Sequence, residues 1–172
     1  MCIRDSFETD HKILLAGDSA GATLAACVAA RSRRDEKQPD AQVLIYPYLG
    51  APANEGSAVE HANAPLLTTS DMKFYENIRI DSSQPFPSDE TFAPLWGTDF
   101  SNLPTTVIFS AECDPLRDDG PIYAEKITHA GGKANCTVEP GLVHGYLRAR
   151  HGSDKANASF TRILDAIKVC GQ

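Results

Sequence analysis

Three residue types that together perform acyl transfer stand far apart in this 172-residue chain: a serine at position 19, an acid at 114 and a histidine at 144. Ser19 is the centre of Gly17-Asp18-Ser19-Ala20-Gly21, a Gly-x-Ser-x-Gly turn. A serine hydroxyl becomes a nucleophile only when a base takes its proton, and an imidazole serves as that base when a carboxylate fixes its tautomer. Asp114 lies in Glu112-Cys113-Asp114-Pro115-Leu116-Arg117-Asp118-Asp119-Gly120, where Pro115 restrains its backbone. Asp118 and Asp119 read as caps of the helix that follows. His144 sits in Gly141-Leu142-Val143-His144-Gly145-Tyr146. His11, His61, His129 and His151 are expected to be solvated.

These groups need elements to position them. An apolar run over Lys12 to Asp18 reads as a strand, and small helix formers continue from Ala20 to about Arg34. A chain that turns from strand to helix within one residue strains that residue, so its neighbours two positions away must be small. Gly17 and Gly21 are expected to supply the room. Ser19 then stands at a helix N-terminus, where the Ala20 amide and the helix dipole favour an oxyanion. Taken alone, the pentapeptide also fits a tight strand-to-helix turn of any α/β protein.

Ala41 to Tyr46 is a second strand, ended by Pro47, and completes a βαβ unit that implies parallel strands with a right-handed crossover. Thr105 to Ala111 is a third strand, Asp118 to Ala130 a helix ended by Gly131-Gly132, and Ala134 to Glu139 a fourth strand. A last amphipathic helix runs from about Asp154 to Val169, with Phe160, Ile163, Leu164 and Ile167 on one stripe. In a parallel sheet the loops after the strands gather at one edge, so Ser19, Asp114 and His144 are brought to a common site.

Between the second and third strands the pattern loosens. Residues 49–102 carry Pro52, Pro65, Pro85, Pro87 and Pro94, and only Thr69 to Ile80, capped by Ser70 or Asp71, reads as a helix. A connection this long is usually functional or disordered, and it is expected to form a partial lid. Its aromatics, Phe74, Tyr75, Phe86, Phe92 and Trp96, either line an acyl pocket or anchor the excursion to the core.

Composition narrows the class. With 42% hydrophobic and 23% charged residues, the chain reads as one globular domain. A net charge of −7 argues against nucleic acid as a partner, and Arg31-Ser32-Arg33-Arg34 reads as a solvated helix end. The five cysteines, Cys2, Cys27, Cys113, Cys136 and Cys170, show no metal-site spacing and are odd in number, which points to a reducing, cytoplasmic compartment. No apolar run approaches the ~20 residues that span a bilayer.

Gly17-Asp18-Ser19-Ala20-Gly21, Leu44-Ile45-Tyr46-Pro47, Leu103-Pro104, Asp114-Pro115-Leu116-Arg117-Asp118 and His144-Gly145-Tyr146, taken in order, resemble the hormone-sensitive-lipase-like branch of the α/β-hydrolase superfamily. The similarity runs from about Lys12 to the C-terminus. It implies class α/β and the α/β-hydrolase fold, here the C-terminal part of a mostly parallel sheet with helices on both faces. It further implies Ser19 as nucleophile, Asp114 as triad acid, His144 as base and the Ala20 amide as oxyanion donor. The implied activity is that of a carboxylesterase acting on short to medium acyl esters, small-molecule substrates, without metal or organic cofactor.

The sequence also departs from that branch. Its members carry a His-Gly-Gly-Gly segment upstream of the nucleophile, whose amides complete the oxyanion hole, and an N-terminal cap; here eighteen residues precede Ser19. The expectation is a truncated reading frame, with residues 1–11 foreign to the family and residues 12–172 forming the catalytic domain. Each missing oxyanion donor would cost ~10²–10³ in rate, which implies a weak enzyme or, alternatively, a non-catalytic hydrolase fragment or ligand-binding module of the same fold. The strand over Lys12 to Asp18 would present an apolar edge that invites self-association. A nucleotide-binding reading is disfavoured by the absence of G-x-G-x-x-G.

Overall fold

Among the described residues, the apolar runs fold into four strands, β1 (Leu14–Asp18), β2 (Ala41–Ile45), β3 (Thr105–Cys113) and β4 (Ala134–Val143). The computed structural model describes residues 11–79 and 89–172. The N-terminal extension before His11, Cys2, Ile80, Pro85, Phe86 and Pro87 lie outside the described residues. Among the described residues, five α-helices accompany the strands: α1 (Ala20–Ser32), α2 (Ser57–Glu60), α3 (Thr69–Arg79), α4 (Asp119–His129) and α5 (Asp154–Cys170).

The strands form one sheet in the order β1-β2-β3-β4, with every neighbouring pair parallel. β2 is buried at all five positions because helices cover both faces of the sheet. Successive side chains point to opposite faces. Leu44 accordingly packs with Ala22 and Ala26 of α1 and with Tyr123 and Ile127 of α4. Val43 and Ile45 pack on the other face with Ala156 and Ile163 of α5. The alanines of α1 let that helix lie close to the sheet: Ala22, Ala26 and Ala29 are fully buried. β1 is an edge strand, and its residues are only partly buried or exposed.

Several boundaries and roles differ from the sequence reading. β3 and β4 run past Ala111 and Glu139 because a register shift near Ala111 restores pairing at Cys113 and Val143. The Glu112 carboxylate accepts the Gly141 amide across that irregularity. The cap of α3 is Thr68 rather than Ser70 or Asp71: its hydroxyl accepts from the Asp71 amide while the Asp71 carboxylate accepts from the Thr68 amide. Asp118 stands at the N-cap position of α4, but its side chain makes no capping hydrogen bond, and Asp119 is the first residue of the helix. Asp118 Oδ2 accepts from the Ser57 amide, and Asp119 Oδ2 accepts from the amides of Leu49, Gly50 and Ala51. On α5, Leu164 lies off the buried stripe, whose centre is Ile163 with Ala156 and Ser159.

The excursion between β2 and β3 has more structure than its composition suggests. Besides α3 it contains the short helix α2 and a 3-10 turn over Pro94–Trp96. Phe92 stacks on Trp96 at 5.3 Å and is buried, so both anchor the excursion. Tyr75 instead lines the cavity described below, and Phe74 is exposed.

Candidate active site

β1 delivers Ser19 to the sheet edge, and the ladder carries one step further. Asp18 pairs with Ile45, and the Ser19 amide donates to the Ile45 carbonyl at 2.9 Å. Ser19 has φ 52° and ψ −122°, a conformation a side-chain-bearing residue holds only when its surroundings enforce it. Gly17 is part of that enforcement. A Cβ there would lie 2.4 Å from the backbone carbon and oxygen of Gly21. Gly21 plays no matching part, since a Cβ on it would meet nothing within 4 Å.

The pairing of Cys113 with Val143 leaves Asp114 and His144 as the next residues on adjacent strands. The two side chains meet there. His144 Nδ1 lies 2.7 Å from Asp114 Oδ2, and His144 Nε2 lies 2.8 Å from Ser19 Oγ. Asp114 is fully buried, and its second oxygen accepts the Leu116 amide at 2.9 Å. A carboxylate so placed accepts the Nδ1 proton, which leaves the Nε2 lone pair to take the proton of the serine hydroxyl. Gly145, at φ 71°, turns the chain away immediately after the histidine.

Ala20 opens α1, and its amide is one of the helix N-terminal donors that lack an intrahelical acceptor. Thr23 reinforces this end by donating its hydroxyl to the Tyr48 carbonyl at 2.8 Å. Ser19 and His144 open into a cavity of about 300 Å³, walled by Leu66, Leu67, Met72 and Leu116 and by the polar side chains of Tyr48 and Glu76. The Tyr48 hydroxyl donates to Glu76 at 2.6 Å, and burial with that carboxylate pushes its pKa well above the usual phenol range.

Sequence reasoning missed several groups around the site. Tyr46 packs its ring on His144 at 4.8 Å and donates its hydroxyl to Asp18. Asp119 is buried beside Asp114, and burial is the main cause that raises its pKa to about 7, against three amide donors that favour the charged form. His61, expected to be solvated, is half-buried with Nε2 3.0 Å from Arg117 Nη1. His129 is exposed, as expected of a solvated side chain. The nearness of Tyr46 to the strand end was readable; the long-range partners of Asp119 and His61 were not. Among the described residues, no group of three or more His, Cys, Asp or Glu converges to hold a metal ion.

A family profile described as the α/β hydrolase fold matches residues 4–148. The chain is 38% identical over 143 residues to carboxylesterase NlhH of Mycobacterium tuberculosis, covering 79% of this chain and 44% of that protein. It is 29% identical over 161 residues to an ethyl acetate hydrolase of Pseudomonas putida, covering 92% of this chain and 50% of that protein. Among solved structures, a bacterial heroin esterase superposes with a TM-score of 0.88 at 26% identity, over 99% of this chain and 55% of that one. The metagenomic carboxylesterase EstE1 superposes with a TM-score of 0.82 at 33% identity, over 91% of this chain and 54% of that one. The chain thus spans about half the length of the curated relatives it matches.

Proposed function

The chain belongs to the carboxylesterase-type α/β hydrolase family, and from that premise we propose that it is a serine carboxylesterase acting through Ser19, His144 and Asp114. The observation that carries this reading is the unbroken hydrogen-bond series from Ser19 Oγ through both ring nitrogens of His144 to the buried Asp114. His144 takes the hydroxyl proton as Ser19 Oγ attacks the ester carbonyl carbon, and Asp114 stabilises the imidazolium. The Ala20 amide donates to the oxyanion. Collapse of the tetrahedral intermediate breaks the bond to the alcohol, which leaves with the proton from His144. Water then attacks the acyl-enzyme by the same route and frees the acid.

Short to medium acyl esters are the substrate class. The apolar wall of Leu66, Leu67, Met72 and Leu116 suits a modest acyl chain, and the volume of about 300 Å³ suits its length. The four described cysteines are free thiols, in keeping with a reducing, cytoplasmic setting. Among the described residues, no helix is long and apolar enough to cross a membrane. The outer edge of β1 is where a second copy would pair, and light scattering across a concentration series tests that contact.

Hydrolysis of p-nitrophenyl butyrate, followed for the chain and for Ser19→Ala, tests the activity. Turnover that vanishes in the variant supports the reading. Equal turnover in both contradicts it.

A further inference from the structure

The ring that touches His144 belongs to a residue with no assigned part in the chemistry. Tyr46 follows β2, the strand between β1, which leads into Ser19, and β3, which leads into Asp114. Its amide donates to the Phe109 carbonyl at 2.7 Å, so the ladder holds its backbone at the level of Ser19. Its φ is +36°, a value that a bulky side chain adopts only when several contacts fix it. Those contacts are present. The ring is buried and lies 4.8 Å from the His144 imidazole and 5.1 Å from Tyr146. The hydroxyl donates at 3.0 Å to Asp18, the residue directly before Ser19. Tyr146 in turn hydrogen-bonds Ser159 on α5 at 2.7 Å.

Resting on the reading of Ser19 and His144 as nucleophile and base, we propose that Tyr46 is a positioning residue that sets the distance and angle between them. One rigid side chain spans both partners: its hydroxyl is tied to the residue ahead of the nucleophile, and its face supports the base. A packed aromatic ring limits the tilt of the imidazole, and the hydroxyl bond fixes where that ring sits. The phenol does not serve as an acid or base itself. Burial and the neighbouring Asp18 carboxylate push its pKa well above the usual phenol range, so it remains a donor. The charged groups facing it are Asp18, which raises that pKa, and Arg148, which lowers it.

The test compares the chain with Tyr46→Phe, which keeps the ring and removes the hydroxyl, with Asp18→Ala, and with both together. Two readouts are taken: kcat and KM for p-nitrophenyl butyrate, and the imidazole ¹⁵N resonances of His144 in the resting protein. Tyr46→Phe is expected to lower kcat about tenfold with KM unchanged, a size fitting sub-ångström misplacement of reacting groups. It also shifts the His144 resonances while leaving those of His129 in place. Asp18→Ala gives a similar loss, and the double variant loses no more than either single one, because both remove the same bond. Unchanged kcat with unmoved His144 resonances overturns the proposal, as does an additive loss in the double variant. If Ser19 of the unaltered chain proves unreactive, the proposed function falls, yet the resonances still decide the inference: a shift in Tyr46→Phe sustains the positioning contact and its absence overturns it.

Discussion

The carboxyl edge of the sheet and the excursion over 49–102 are held in place by different means. At the edge, Ser19, Tyr46, Asp114 and His144 each follow the last or nearly last paired residue of a strand, so main-chain ladders set their spacing. The excursion is tied down by side chains. Asp119 collects three amides of its first turn, Asp118 holds the Ser57 amide, and Arg33 of the segment after α1 pairs with Glu90. A ladder is distributed over many bonds, whereas a carboxylate pin concentrates the tie in one residue. Changes at the edge should therefore remove chemistry, and changes at the pins should loosen the cavity wall.

The largest effect is expected at the edge. Asp114→Asn keeps the size of the side chain but removes the charge that fixes the His144 tautomer, so kcat should fall by about 10⁴-fold with little change in the melting curve. Steady-state kinetics with circular dichroism check this, and a loss accompanied by unfolding would assign Asp114 a structural part instead. Gly17→Ala comes next. The added Cβ meets the Gly21 backbone at 2.4 Å, so the turn must shift, at a cost of about 1–3 kcal/mol as in other overpacked sites. Chemical denaturation measures that cost, whereas Gly21→Ala, with open space around its Cβ, should leave the denaturation midpoint almost unmoved.

The pin at Asp119 gives a pH-dependent effect. Burial raises its pKa from the carboxylate range to about 7 in the folded chain. Between those values the folded protein holds the proton more tightly than the unfolded one. Asp119 accordingly contributes stability that is lost as pH rises from about 4 through about 7. Urea midpoints measured from pH 5 to pH 8 should fall with rising pH for the unaltered chain, and Asp119→Asn, which stays neutral, should flatten that slope. The smallest effect belongs to the cap of α3. Thr68→Ala removes the acceptor of the Asp71 amide and should cost about 1 kcal/mol, read from the same denaturation experiment. KM should change more than kcat, because α3 supplies Met72 and Tyr75 to the cavity.

The same contrast explains what could be read from the sequence. The four parallel strands and the joint placement of Ser19, Asp114 and His144 followed from local signals: apolar runs, strand-ending turns, and the rule that parallel strands end at one edge. The ends of β3 and β4 did not, because the extension depends on a register shift between two strands, which no single segment encodes. Asp118 and Asp119 looked like helix caps because short acids favour that place; the backbone amides they accept from lie more than sixty residues away in the chain. α2 has four residues, too few for a hydrophobic period to emerge. Tyr46 was visible as a strand end before Pro47, but its contact with His144 depends on a turn at positive φ that its residue type argues against.

Ser19, His144 and Asp114 are proposed to work as one nucleophilic unit. Intact-mass spectrometry after exposure to a fluorophosphonate tests it without requiring a known substrate. One adduct is expected, mapped to Ser19, that forms in the unaltered chain and is absent in His144→Ala. A folded, unaltered chain that takes up no adduct, or a His144→Ala variant labelled as fast as its parent, would contradict it.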